Sequence, residues 1–222
     1  MAKTTVIEGP FRGFEQRLSA MKDYMYAMHP GITQQPTALP VFVQSCVVLT
    51  TAQYSEFLRA LVGTAAGHRE AQLRKHLVKT APRDRRLQVK HLDRVALARE
   101  AKNRLSFKDG ARRIAALFIA IFGCPPWPSE EVRDLLSDLV VIRNMIVHEG
   151  DAEVGIGHIG HYAAQLRKAE VFKVSGYGDW NINHLDPMKT LFFFNQAVQG
   201  IATSFHYLEE RLVSSDDWLR RP

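Results

Sequence analysis

Between positions 139 and 150 the chain reads Leu139-Val140-Val141-Ile142-Arg143-Asn144-Met145-Ile146-Val147-His148-Glu149-Gly150, and seven of the first nine residues are apolar. Periodicity cannot say whether such a run is a buried strand or a buried helix. Its flanks can. Pro128-Ser129 followed by Glu130 and Glu131 offers a hydroxyl to cap a helix and acids for the positive end of its dipole. Gly150, directly after His148-Glu149, is a natural helix stop. The pattern predicts one helix over about 129–149.

On that helix each residue advances by about 100°. Val132, Leu139, Ile142 and Ile146 then gather within roughly 60° of Leu135 and form the expected core stripe. Arg143 falls near the edge of the stripe, at about 80°, while Asn144 and His148 share a face at roughly 180–220°. A guanidinium, an amide and an imidazole thus sit on a helix that is apolar almost all round. Such groups are costly there unless they are paired or used.

Arg143-Asn144 followed four residues later by His148 resembles the Arg-x(4–6)-His signature of the HEPN superfamily of helical nucleases and nucleotide-binding modules. The resemblance covers residues 130–150. It extends more weakly over 41–62, where Phe42 to Leu49 running on to Glu56-Phe57-Leu58 looks like that family's preceding core helix. It implies an all-α helical bundle and, in active members, a metal-independent endoribonuclease site built across a two-fold dimer. By that resemblance Arg143, Asn144 and His148 are the catalytic residues. Glu56 is either an accessory group that orients Arg143 or a plain surface glutamate.

The chemistry needs no cofactor and no metal. RNA carries its own nucleophile, the 2′-hydroxyl beside the scissile phosphate. Histidine titrates near neutrality and serves as acid or base. Arginine stays charged and grips two phosphoryl oxygens. Asn144 is placed to orient the ring or to bind a phosphate oxygen. Arg143 and His148 stand about 140° apart on one helix, so a dimer through the 130–149 helix, burying Val140, Val141 and Met145, is expected to bring two of each together. The competing structural roles are an internal salt bridge for Arg143 and a C-terminal helix cap for His148.

At 222 residues and 46% hydrophobic content, a single domain over 1–222 is expected, with a basic helical insertion at about 68–107. Two cysteines, Cys46 and Cys124, give no disulfide framework and fit a reducing, cytoplasmic setting. No apolar run has signal-peptide or membrane-spanning length. Charge is segregated: residues 68–113 hold 15 Lys/Arg against 5 Asp/Glu, a net of +10, which leaves −4 for the rest of a chain of net +6. A basic segment of this kind is either a solvated helical face or a polyanion site, with Arg83, Arg85, Arg86 and Lys90 as candidate nucleic-acid-binding residues.

Other helices are expected over 11–28, ended by His29-Pro30-Gly31, and over 41–62 at the bundle centre after a linker at 33–40. Further helices are expected at 70–79, 86–105, 110–122 and, briefly, near 161–169. A small β-hairpin is expected at 171–184, before a last helix at 187–213 that Asp186 caps and Pro187 opens. Its stripe is Leu191, Phe194, Val198, Ile201, Phe205 and Leu208. Gly155-Ile156-Gly157-His158-Ile159-Gly160 matches a dinucleotide fingerprint but lacks the preceding strand. His158 and His161 with His148 and Asp151 make a weak metal pattern.

Together these features point to a dimeric endoribonuclease acting on RNA as a toxin or defence effector, with an antitoxin or nucleotidyltransferase-type protein as a possible partner. The alternatives are a non-catalytic helical module that binds a nucleotide or an antitoxin, and a nucleic-acid-binding protein that works through residues 68–113.

Overall fold

A computed structural model describes residues 7–32, 34–35, 37–105, 111–148, 171 and 185–213. These form eight α-helices: α1 Glu8–Ile32, α2 Ala38–Ala65, α3 Glu70–Thr80, α4 Arg86–Lys90, α5 Arg94–Asn103, α6 Ala111–Phe122, α7 Glu130–His148 and α8 Pro187–Leu212. A 3-10 turn, Arg83–Arg85, leads into α4. The fold is all-α. The hairpin expected at 171–184 and the helix expected near 161–169 fall outside the described residues, apart from Val171, whose carbonyl accepts from the Asp186 amide at 2.8 Å.

The helices form where their punctuation says they should. Ser129 Oγ accepts from the Val132 amide at 3.3 Å and starts α7. Asp186 Oδ1 accepts from the Met188 and Lys189 amides at 2.9 and 3.0 Å and starts α8 at Pro187. Gly123, at φ 78°, ends α6 in the left-handed conformation that suits glycine.

Three boundaries differ from expectation. α1 runs through His29-Pro30-Gly31 to Ile32, because a proline in the last turn removes one hydrogen bond just where the helix is ending anyway. α2 starts at Ala38 and places Pro40 in its first turn, where a missing N–H costs nothing. The helix expected over 86–105 is two, broken at 91–93. Asp93 caps α5 by accepting from the Ala96 amide at 2.8 Å, and Arg74 donates to the Lys90 carbonyl at 2.8 Å to close α4.

The chain groups into two compact units interleaved along the sequence. The first comprises 1–15, 55–128 and 204–222; the second comprises 16–54 and 129–203. In the first unit, Phe14 stacks on Phe57 with ring centroids 4.5 Å apart, and Phe11 and Phe205 complete the cluster edge-on. The basic segment belongs to this unit. α3 packs against α4, α5 and α6, and Leu73, Leu77, Val89, Leu97 and Ala101 are buried, so most of its cations line the outside of an apolar core, while Arg69 is itself buried. In the second unit Gly200 of α8 lets α7 come close: a Cβ there would stand 2.9 Å from Leu135 Cδ2.

The described part of α7 is buried on nearly every face. Leu136, Asp138, Leu139, Val140, Ile142, Asn144 and Met145 are all buried. Val132, Leu135 and Ile146, expected in the core stripe, are only half-buried. A helix that is apolar all round carries no directional signal, so the stripe read around Leu135 is too narrow.

Candidate functional site

Arg143 lies in the last two turns of α7, half-buried. Its Nη1 donates to Asn144 Oδ1 at 3.0 Å. Among the described residues no carboxylate pairs with it, so the competing role, an internal salt bridge, is not seen there. Asn144 is 8% exposed. Because arginine can only donate, the contact fixes Oδ1 toward Arg143 and leaves the amide hydrogens of Asn144 to donate elsewhere. His148 is the last residue of α7; its side chain is outside the described residues.

Among the described residues near this end of α7, Ile146 is half-buried and Val147 is 41% exposed. They flank Arg143 at roughly 60° and 40° around the helix. Val140 and Met145, expected to be buried by a dimer partner, are already buried within the protomer, and Val141 is half-buried. Among the described residues, the apolar side chains left accessible at this end of α7 are Val141, Ile146 and Val147.

Glu56 is exposed on α2 and pairs with Arg59, one turn on, at 3.5 Å. That ion pair belongs to the first unit and engages the carboxylate with its own helix. Arg83, Arg85, Arg86 and Lys90 are all exposed, on the 3-10 turn and α4. Arg86 is partly occupied, its Nε donating to the Ala81 carbonyl at 3.2 Å. Sequence reading passed over Arg94, Arg99 and Lys102 of α5, which share a cavity with Gly63 and Gly67. The signal available for them was the four-residue spacing of the two glycines facing a helix with cations on one side.

Residues 149–170 lie outside the described residues, and with them Gly155 to Gly160, His158, His161 and Asp151. Among the described residues no group of His, Cys, Asp and Glu is arranged to hold a metal ion, and no helix is long and apolar enough to cross a membrane. Both described cysteines are buried and form no disulfide; burial pushes the Cys46 thiol up to about 11. No protein-family model, curated protein or solved structure matches this chain.

Proposed function

We propose that the chain is a metal-independent endoribonuclease of the HEPN type, with Arg143, Asn144 and His148 as its catalytic residues. The observation that carries this reading is the state of Arg143. Its guanidinium stands on a helix buried on most faces, held by a neutral amide and by no acid among the described residues. A structural arginine in such a setting is normally matched by a carboxylate. This one keeps its charge for an anion.

In the proposed reaction the 2′-oxygen of RNA attacks the adjacent phosphorus as its proton passes to a base. The P–O5′ bond breaks and the 5′-oxygen takes a proton, leaving a 2′,3′-cyclic phosphate and a 5′-hydroxyl. His148 supplies the proton transfers. Arg143 stabilises the charge that grows on the phosphorane oxygens, and the free N–H groups of Asn144 bind one of them. A homodimer through the C-terminal half of α7, with Ile146 and Val147 against their copies, would provide two histidines as acid and base. The biological role is that of a toxin or defence effector, neutralised by an antitoxin or nucleotidyltransferase-type partner.

The test is RNA cleavage in excess EDTA by the wild type, Arg143→Ala and His148→Ala, with circular dichroism to confirm the fold of each. The wild type should cut and leave cyclic phosphate ends. Both variants should lose on the order of 10²–10⁴-fold in rate and remain folded. An inert wild type, or variants that cut as well as it does, would leave a binding module in its place.

A further inference from the structure

The first unit contains a cavity of about 390 Å³ between the C-terminal end of α2 and one face of α5. Three cations line it: Arg94, Arg99 and Lys102. No carboxylate lines it, and the acids nearby are engaged elsewhere. Asp93 caps α5 through the Ala96 amide, Glu100 pairs with Arg104 at 3.0 Å and Glu70 pairs with Arg74 at 2.6 Å. Among the described residues, none of the three lining cations has an ion-pair or hydrogen-bond partner.

Two glycines bring the charges close to the backbone. A Cβ at Gly63 would overlap the Lys102 Cε, and one at Gly67 would overlap the Arg94 guanidinium. Neither glycine has a positive φ, so it is room that these positions supply, not an unusual backbone. The two cationic heads therefore rest on the last turn of α2 and on the turn that follows it, roughly one helical turn apart, on the order of 6 Å. Arg99 stands between them in sequence, with Ala98 keeping the cavity floor small. A single phosphate would occupy one of these positions. Three unpaired cations spread over α5 match a run of them.

We propose that this cavity binds consecutive phosphate groups, those of a single-stranded nucleic acid or those of a nucleotide polyphosphate. This inference does not rest on cleavage at Arg143 and names different residues from the exposed cluster of α4. The two sources share their chemistry: adjacent anionic tetrahedra gripped by guanidinium and ammonium groups.

Fluorescence anisotropy on the full chain tests it, with a labelled single-stranded 2′-O-methyl oligonucleotide of about twenty nucleotides, long enough to cover an ordinary single-strand site. The 2′-O-methyl group removes the nucleophile, so binding is read without cleavage. The triple variant Arg94→Gln/Arg99→Gln/Lys102→Gln should bind at least about tenfold more weakly and flatten the log–log salt slope by roughly 2, at about 0.7 per phosphate released. Arg12→Gln/Arg17→Gln/Lys22→Gln on α1, outside the basic segment and with the same change in charge, should bind within about twofold of wild type. Gly63→Ala keeps every charge but displaces Lys102, and should also weaken binding. Competition by ATP at concentrations that displace the oligonucleotide identifies a nucleotide polyphosphate as the ligand; its failure to compete identifies a strand. Equal losses in both triple variants, or a wild type that binds neither probe, overturns the proposal. A chain that binds here yet cuts no RNA would sink the cleavage reading and leave this one standing.

Discussion

Asn144 offers the sharpest test at the scale of single residues. Its Oδ1 already faces Arg143 at 3.0 Å, so Asn144→Asp would place a carboxylate oxygen where the amide oxygen is. The shape is kept, the guanidinium gains an adjacent acid, and the amide donors vanish. Thermal melting should show stability close to wild type, since the buried carboxylate arrives with its partner. RNA cleavage should fall by at least about tenfold, because Arg143 is neutralised and a phosphate would meet a negative charge. Full activity in this variant would show that the free charge of Arg143 is not what the site uses. The identity of Arg143, Asn144 and His148 as candidates was legible from their spacing and their misplaced polarity. That no acid among the described residues pairs with Arg143 was not, since sequence cannot say which carboxylates come near. For the same reason Arg94, Arg99 and Lys102 looked no different from their paired neighbours Arg74 and Arg104.

Among the helices, α8 and α7 show what governs legibility. The six residues read as the α8 stripe, Leu191, Phe194, Val198, Ile201, Phe205 and Leu208, are all buried, because polar residues between them leave one face apolar. α7 has no such contrast, and its half-buried Leu135 and Ile146 could not be told from its buried Leu136 and Met145. The close approach at Gly200 gives a prediction for this pair of helices. Leu135 Cδ2 would be 2.9 Å from an added Cβ. A flexible leucine tip can give way to one methyl, so Gly200→Ala should be tolerated. Gly200→Leu forces the helices apart and should cost about 1–3 kcal/mol, read as a fall of several degrees in Tm.

Across the whole molecule, His76 and Cys46 limit stability in different pH ranges. His76 in the first unit has its pKa lowered from 6.5 by burial, then by Arg104 and Lys79. Unfolding frees it to take up a proton, so stability should decline as pH falls through 6.5 and below. Cys46 in the second unit moves the other way, from 9.0 to about 11. The unfolded thiol ionises first, so stability should decline as pH rises from 9 towards 11. A Tm profile should be flattest between these limits; His76→Gln should make the acid limb shallower and Cys46→Ala the alkaline limb. Unchanged limbs in these variants would assign the pH dependence to other groups. The broad class, all-α with a basic helical segment, was legible from helix caps and spacing. The division into two units was not, because three of its four boundaries fall inside the continuous helices α1, α2 and α8, and only the fourth, at Pro128, falls in a proline-rich loop. That interleaving bears on inheritance as well as on folding. Neither unit is a continuous stretch of the chain, so no single crossover in the gene could donate one of them whole to another protein. Shuffling of the kind that spreads ordinary modules would have to carry both units together or neither.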